Sequence, residues 1–299
     1  MKILSKNFVF AIVGICFGVG LAIVYHTVRS TSNMVNNHID EYAFIRLPGG
    51  LAGIDMVKIK AGTFRRSTDN RDVFITATIE KDYWIGKYEV TQAQFEAVMG
   101  YNPVKDAIGS SHACEIPDIS ANKPVKNVSW YTAKDFCYRL NIIYKDRLPK
   151  GYQFDLPTVE QWEYACCAGT SMADQRKYYK DKYWDAGWSY CETPEDIQPV
   201  GLKKPNAWGI FDMHGNVVEW CRNLDEHQKD AVSEEKLDKS EFKSACGWSV
   251  FIKPELNRMY VSRYQTSTGH WALGFRVALV PVEKTDVLDY NYSILRDYR

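Results

Sequence analysis

The spacing of apolar residues changes along this chain of 299 residues, close to residue 170. Before that point, runs with helical spacing stand beside runs in which apolar and polar residues alternate. After it, short apolar and aromatic runs lie between turns rich in glycine, proline and asparagine, as in "ACGWSVF" and "WALGFRVALV". Helical spacing is typical of amphipathic helices, and alternation is typical of half-buried strands. The pattern therefore predicts a loop-rich α+β domain with few long elements.

Two strands and three helices are predicted in the first part. Apolar and polar residues alternate over 56–64, and a second strand is predicted over 83–90. That strand leads directly into Thr91, which has a glutamine three residues later, the spacing of a capping box at the start of a helix. Apolar residues three and four positions apart predict a second helix over 129–141, and the same capping spacing at Thr158 predicts a third.

An N-terminal stretch, residues 8–25, runs for 18 positions without a charged residue. As a helix it would be about 27 Å long, close to the thickness of the apolar part of a bilayer. Lys2 and Lys6 precede it, and no cleavage site flanked by small residues follows. The stretch predicts an uncleaved signal anchor that spans the membrane once, with the body of the protein in the periplasm or outside the cell.

These features divide the chain into four predicted parts: an N-terminal transmembrane helix (1–25), a stalk (26–45), a domain (46–281) and a C-terminal tail (282–299). Within the domain, residues 224–245 are nearly all charged or polar, which predicts an exposed insertion.

Charge and cysteine content exclude several classes of function. Lysine and arginine total 37, as do aspartate and glutamate, so no basic excess predicts a nucleic-acid partner. Of the eight cysteines, seven lie in the predicted extracytoplasmic part, which tolerates disulfides. Because seven is odd, at least one thiol is free or pairs between chains. No Cys-x-x-Cys pair occurs, which argues against a zinc ribbon or a thioredoxin-type site.

Six stretches together carry a resemblance to a known family. In chain order they are "MVKIKAGTF", "IGKYEVTQAQFEAVMGYNP", "PVKNVSWYTAKDFCYRLN", "FDLPTVEQWEYACCAGT", "PVGLKKPNAWGIFDMHGNVVEWCRN" and "LGFRVAL". The chain resembles the sulfatase-modifying factor family, the formylglycine-generating enzymes and their bacterial relatives, over roughly residues 54–280. The resemblance implies a variant of the C-type lectin fold that is poor in regular secondary structure.

The same resemblance implies a copper-dependent oxidation, but this chain lacks the residues that the family uses for it. The enzymes oxidise a sulfatase cysteine with copper held by two cysteines, and the two positions fall near Val250 and Glu255 here. Cys246 is the only thiol nearby in the sequence, and one thiol cannot form a two-thiolate copper site. Val218 also replaces the first tryptophan of the family's Gly-Asn-x-Trp-Glu-Trp loop. Copper is therefore not expected, and Cys246 is a catalytic candidate only if the chain is an enzyme.

Iron chemistry is a second possibility that the resemblance raises, since some relatives are non-haem iron enzymes. A facial triad needs two histidines and a carboxylate at one metal. Only His112, His214 and His270 are placed where they could converge, and each is interpreted as a solvated or turn histidine.

Disulfides of the family are not expected in this chain. Cys137 and Cys166 match positions that form bridges in some relatives, but the partner positions hold Val277 and Tyr260. Both cysteines are therefore predicted to be small buried residues on helix faces. Other pairings stay open among Cys114, Cys167, Cys191, Cys221 and Cys246.

The segment "FDMHGNVVEWCRN", residues 211–223, predicts a structural calcium site. Asp212 and Glu219 supply carboxylates on either side of a Gly-Asn turn, and calcium prefers such oxygens. Gly215 lets the chain double back, so the carbonyl groups of Gly215 and Val217 can point at the same centre. The resemblance implies the same four ligands. The alternative is a glycine turn whose acidic groups cap nearby amides.

Two functions are compatible with these observations. In the first, the chain is a membrane-anchored extracytoplasmic binding or scaffold protein, whose partner is a protein or a glycan. Its recognition surface is predicted within residues 246–273 and includes Trp248, Tyr264, His270 and Trp271. The alternative is that these residues pack in the core. In the second, it is an oxidoreductase of the formylglycine-generating type, or a related non-haem iron or copper oxidase. The absent cysteine pair favours the first.

Overall fold

The computed structural model describes residues 42–50, 52–67, 74–106, 119–171, 187–188, 197–222, 241–249, 261–267 and 269–283. The predicted anchor over 8–25 lies outside these residues, as do most of the stalk and of the tail. Inside them, no helix has the length and apolar character that crossing a membrane requires.

Strands and helices are mixed along the described residues, as the sequence predicts for an α+β domain. The strands are β1 (Phe44–Arg46), β2 (Gly53–Ile59), β3 (Gly62–Ser67), β4 (Phe74–Ile79), β5 (Tyr83–Gly86), β6 (Tyr152–Asp155), β7 (Val218–Trp220), β8 (Phe242–Cys246), β9 (Val261–Gln265), β10 (Leu273–Gly274) and β11 (Ala278–Pro281). The helices are α1 (Gln92–Met99), α2 (Pro103–Asp106), α3 (Trp130–Tyr144) and α4 (Val159–Cys167). The α+β prediction is confirmed.

Three sheets organise these strands. A five-stranded sheet has the order β1-β2-β5-β11-β6, and all its neighbours are antiparallel. A four-stranded sheet has the order β10-β7-β8-β9, in which β10 and β7 run parallel. β3 and β4 form a separate antiparallel hairpin. Three of the candidate site residues lie in strands of the four-stranded sheet: Glu219, Cys246 and Tyr264.

Helix starts agree with the predicted capping signals. Thr91 caps α1 by accepting a hydrogen bond from the Gln94 amide, and the Gln94 side chain accepts one from the Thr91 amide. Thr158 and Gln161 form the same reciprocal pair at the start of α4. Ser129 caps α3. These contacts join residues three positions apart, which is why the sequence alone predicts them.

Two apolar cores lie on opposite faces of the five-stranded sheet. On β5, Trp84 belongs to one core and Ile85 to the other, and on β11 Leu279 and Ala278 divide in the same way. Successive side chains of a strand point to opposite faces, which explains the division. Helices α1 and α3 contribute to the first core, and α4 contributes to the second.

Two predicted strands are shorter or divided in the structure. The run over 56–64 is interrupted at Lys60 and Ala61, where Asp82 accepts hydrogen bonds from the Lys60 ammonium and the Ala61 amide. The run over 83–90 ends as a strand at Gly86. Its last residues instead lead towards the cap of α1.

Two predicted boundaries also shift. β1 begins at Phe44, inside the predicted stalk, and Ile45 is buried in the first core. The predicted exposed insertion over 224–245 is wrong at its C-terminal end, because Phe242–Cys246 form β8. Ser244 and Ala245 are fully buried there. The sequence does not predict this strand, because it contains a lysine and a serine and so looks polar. In the structure both residues are in register with residues of β9.

Candidate functional site

A buried ion pair lies where β7 meets the residues after β10. The Arg276 guanidinium donates to both oxygens of Glu219, at 2.6 Å each. The Trp162 indole N–H donates to one of these oxygens at 2.7 Å. The remaining guanidinium hydrogen bonds go to the carbonyl oxygens of Gly86 and Phe211. Both charged residues are fully buried, so the Glu219 carboxylate has its hydrogen bonds from within the protein.

A second buried carboxylate, Glu89, approaches from the other side of the turn. Its oxygens accept hydrogen bonds from the Asn216 side-chain amide at 2.8 Å and from the Val217 backbone amide at 3.0 Å. Asn216 also exchanges hydrogen bonds with the backbone of Gln198, which fixes the turn. The sequence analysis missed Glu89. The available signal was an acidic residue in a short apolar run between a strand and a helix cap, since a buried glutamate needs partners.

Asp212 is the third carboxylate of the cluster. Its Oδ2 accepts a hydrogen bond from the Gly201 amide at 2.7 Å. Its Oδ1 is buried and has no hydrogen-bond partner within the described part of the chain. Burial, and then the charge of Glu219, raise the pKa of Asp212 to about 6, although the Gly201 amide and Arg276 oppose the shift. Burial, with Asp212 and Glu219 next in effect, raises the pKa of Glu89 well above its ordinary value.

These four residues do not balance in charge. Three carboxylates face one guanidinium, so full ionisation leaves two negative charges in excess in a region that excludes water. Buried charges of this kind are neutralised by protons or by a bound cation. The cluster of Glu89, Asp212, Glu219 and Arg276 is therefore a site that either takes up protons or holds a positive ion.

The predicted calcium ligands fit this cluster in part. The turn at Gly215 is present, with φ +138°, and a Cβ there would lie 2.0 Å from the Trp188 carbonyl oxygen, so only glycine fits. The unpartnered Asp212 Oδ1 suits a hard cation. Glu219, in contrast, is bound by Arg276.

No cluster of three or more His, Cys, Asp or Glu residues close enough to hold a metal occurs in the described ranges. The predicted calcium set has only two such side chains, with two backbone carbonyls, so it stays a prediction.

Cys246 has a second thiol beside it in space, although none is near it in the sequence. It lies in β8, fully buried, and its Sγ is 3.3 Å from the Sγ of Cys221. The antiparallel pairing of β7 with β8 brings the two sulfur atoms together across 25 residues of sequence. The contact joins two of the cysteines among which the sequence leaves pairings open, and burial raises the pKa of Cys221.

The two described histidines have different surroundings. His214 is buried and lies in a turn, so the structure agrees with its interpretation as a turn histidine and not with the solvated alternative. Its ring packs against Trp248, with 5.7 Å between ring centroids, and its Nε2 is 3.8 Å from the Cys166 Sγ. Burial lowers the pKa of His214 to about 4, which keeps the ring neutral. His270 is half-buried, and burial lowers its pKa as well. His112 lies outside the described residues.

Three of the four predicted recognition residues form a continuous row, called the aromatic row below. Tyr264 contacts His270 with 6.0 Å between ring centroids, and His270 contacts Trp271 at 5.2 Å. Trp271 is 42% exposed. The fourth residue, Trp248, packs its ring on His214. Tyr264 also packs against the first core, as the alternative of core packing predicts.

A cation lies beside this row. Lys243 of β8 is directly opposite Tyr264 of β9, so their side chains share one face of the sheet. The Lys243 ammonium lies 5.2 Å from the centre of the Trp130 ring. Trp130, Lys243 and the aromatic row together form what we call the aromatic face. It combines partly exposed rings with one positive charge.

Comparison with known proteins gives one consistent result. A family model, the sulfatase-modifying factor enzyme 1-like domain, matches residues 50–280. The chaperone protein LppX of Paenibacillus barcinonensis is 30% identical over 220 residues, covering 58% of this chain and 72% of LppX. The formylglycine-generating enzyme of Mus musculus is 24% identical over 233 residues, covering 58% of this chain and 59% of the enzyme.

Solved structures agree with the family in fold. Treponema denticola variable protein 1 has a TM-score of 0.58 at 22% identity, over 78% of this chain and 97% of that protein. PvdO from Pseudomonas aeruginosa has a TM-score of 0.53 at 22% identity, over 76% of this chain and 94% of PvdO. At this identity the likeness concerns the fold alone.

Proposed function

The chain belongs to the sulfatase-modifying factor enzyme 1-like domain family, and from that premise we propose that it is a binding protein without catalytic activity. Residues 8–25 anchor it in a membrane, and its domain, a variant of the C-type lectin fold, faces the periplasm or the cell exterior. Its partner is a polypeptide. The observation that carries this proposal is the aromatic face, a surface of partly exposed rings beside one ammonium group.

Buried thiols support a role without catalysis. The cysteines of the described ranges are all buried: Cys137, Cys166, Cys167, Cys221 and Cys246. A buried thiol is out of reach of a substrate, and a raised pKa such as that of Cys221 keeps it protonated and weakly nucleophilic. The positions of the family's copper ligands hold Val250 and Glu255.

The chemistry of the aromatic face fits a polypeptide. Rings with exposed edges bind aliphatic and aromatic side chains, and tryptophan and tyrosine are enriched where binding energy concentrates. The likeness to a protein named a chaperone also favours a polypeptide partner. A glycan, which can also stack on aromatic rings, is the alternative.

Calcium is proposed as a structural ion of the buried cluster. Its ligands are the unpartnered oxygen of Asp212 and the carbonyl groups of Gly215 and Val217, while Glu219 remains with Arg276. The ion supplies positive charge where the three carboxylates leave an excess of negative charge. The proposal requires no catalytic step at this site.

Binding can be tested with the full chain in detergent and a reduced, unfolded α-lactalbumin as the probe polypeptide. Suppression of its aggregation, followed by light scattering, is expected at equimolar chain. Trp271→Ala is expected to weaken the effect about tenfold or more, because truncating an anchor ring at an interface costs on the order of 2 kcal/mol. Tyr101→Ala is the matched control, since Tyr101 is an exposed ring (39%) that packs on Phe95 of α1. Equal loss in both variants contradicts a specific face, and binding of an oligosaccharide array instead identifies the glycan alternative.

A second candidate function is an oxidoreductase of the formylglycine-generating type. The observation that favours it is the Cys221–Cys246 pair, because two adjacent thiols are what a thiolate copper site needs. The test incubates the full chain with copper and a peptide containing Cys-x-Pro-x-Arg, the motif that the family resemblance implies as substrate. Conversion of the peptide thiol to an aldehyde, abolished by Cys246→Ala, establishes this function over the binding role.

A further inference from the structure

Two buried thiols of the four-stranded sheet are in contact without being bonded. The Sγ atoms of Cys221 and Cys246 are 3.3 Å apart, and both residues are 0% exposed. The Cys221 amide donates to the Ser244 carbonyl oxygen, and Cys246 is in register with Glu219. Since alternate residues of a strand share a face, the side chains of Cys221 and Cys246 emerge on the same side and meet diagonally across the strand pair.

We propose that Cys221 and Cys246 form an intramolecular disulfide in the mature protein. The sulfur atoms need to close from 3.3 Å to the bonded distance of about 2.05 Å. Two S–H bonds break and one S–S bond forms. Two protons and two electrons pass to a small-molecule or protein disulfide, which is reduced to two thiols. Oxidation of this kind is available outside the cytoplasm, so in the cell the bond depends on the proposed location of the domain.

Burial determines when the bond forms. Burial raises the pKa of Cys221, which suppresses the thiolate that attacks a disulfide. The closed domain also denies access to an oxidant. The exchange therefore takes place while β8 is still settling against β7, and the finished bond is then sealed in the second core.

Two of the other buried thiols of the described ranges, Cys166 and Cys137, have different surroundings. Cys166 lies 3.8 Å from the His214 Nε2 and 3.9 Å from the Met213 carbonyl oxygen. Cys137 belongs to the first core, on the opposite face of the five-stranded sheet from Cys221 and Cys246. The geometry thus selects one pairing among those that the sequence leaves open.

The bond would stabilise the part of the four-stranded sheet that carries residues of the aromatic face. Cys221 accepts a hydrogen bond at its carbonyl oxygen from the Trp130 indole at 2.9 Å, and Lys243 lies on the strand that ends at Cys246. A link between Cys221 and Cys246 also closes the segment between them into a covalent loop. The disulfide therefore fixes the strand that carries part of the binding surface.

The test refolds the full chain in a glutathione redox buffer, which makes the result independent of where the protein resides in the cell. Thiols are alkylated under denaturing conditions before and after reduction, and tryptic peptides are mapped by mass spectrometry. The expected result is a chain 2 Da lighter per bond and a linked pair of peptides that contain Cys221 and Cys246. Reduction is expected to lower the Tm by about 5–10 °C, as for a loop of this length.

Variants separate the bond from other effects of the two residues. The same Tm is expected for Cys221→Ala, Cys246→Ala and the double variant, because one bond is lost in each. The reductant is expected to leave the Tm of all three variants unchanged. Cys166→Ala, a buried control, is expected to retain the reductant-sensitive shift. Should a variant fail to fold, the peptide map of the unaltered chain still decides the question.

Three results would overturn the proposal: alkylation of both thiols after refolding, a linkage of either cysteine to another partner, or protection of both thiols by bound copper without the loss of mass. The last result also supports the oxidoreductase alternative. Failure of the α-lactalbumin assay leaves the mass result unchanged, so the disulfide and the binding role are tested separately.

Discussion

Arg276 binds both oxygens of Glu219 inside a region that water does not reach, with N–O distances of 2.6 Å. The two residues are 57 positions apart in the chain. They join β7 to the segment that leads into β11, and so connect the four-stranded sheet to the five-stranded sheet. A buried pair of this kind gives modest net stability, but removal of either partner leaves the other as an uncompensated buried charge.

Replacing Glu219 by alanine is expected to lower the free energy of unfolding by about 3–5 kcal/mol, because it leaves a buried guanidinium without its main partner. Urea denaturation followed by fluorescence measures the change. Arg139→Ala is the control, since Arg139 forms a half-exposed pair with Asp135 that is worth about 0.5 kcal/mol. A loss of less than about 1 kcal/mol for Glu219→Ala would show that the pair is dispensable.

Stability without added cations is expected to rise as the pH falls from about 6 to about 4. The pKa of Asp212 is higher in the folded protein (about 6) than its ordinary value of 3.8, so the folded state binds the proton more tightly. The unfavourable contribution is complete above pH 6, amounts to about 3 kcal/mol, and disappears below pH 4. Thermal unfolding in EDTA across this range measures it. Asp212→Asn is expected to flatten the profile, and an unchanged slope in that variant would assign the effect to another group.

Calcium is expected to raise the Tm at pH 7.5 and to have little effect at pH 5. Protons and the cation compete for the same carboxylate, and the proton prevails below the pKa of Asp212. Differential scanning calorimetry with calcium or EDTA makes the comparison. Asp212→Ala is expected to abolish the calcium effect. An equal rise in Tm at both pH values would place the ion elsewhere.

Substitution of Gly215 by alanine is expected to cost more than about 3 kcal/mol. Its φ of +138° strains an L-residue, and its Cβ would lie 2.0 Å from the Trp188 carbonyl oxygen. Gly100→Ala is the matched control, because Gly100 also has a positive φ but has open space around it, and the expected cost is about 1 kcal/mol. Similar losses in chemical denaturation for both variants would exclude the backbone contact as the cause.

Local features of this fold could be predicted from the sequence. The capping pairs at Thr91 and Thr158 involve residues three positions apart, and the helices begin where those signals predict. The alternation around β2 and β5 predicted strands, although not their ends. Strand ends depend on neighbours such as Asp82, which interrupts the run after β2 and lies about 20 positions away in the sequence.

The candidate site depends on contacts that no local pattern contains. Glu89 reaches Asn216 across 127 residues, and Cys221 meets Cys246 only through the register of β7 with β8. Motif spacing identified Asp212 and the turn at Gly215, because those residues lie within one short segment. The arginine that binds the adjacent carboxylate lies outside that segment, 57 positions away in the chain.

The position of β11 has a consequence for biogenesis. This strand follows every other described strand in the sequence, yet it lies inside the five-stranded sheet, between β5 and the edge strand β6. Until it is synthesised, β5 and β6 each expose an unpaired edge, and the Arg276 next to it cannot reach Glu219. A chain arranged in this way cannot complete the five-stranded sheet before β11 is present. The order of its strands by itself delays folding of the five-stranded sheet until nearly all of the domain has been synthesised.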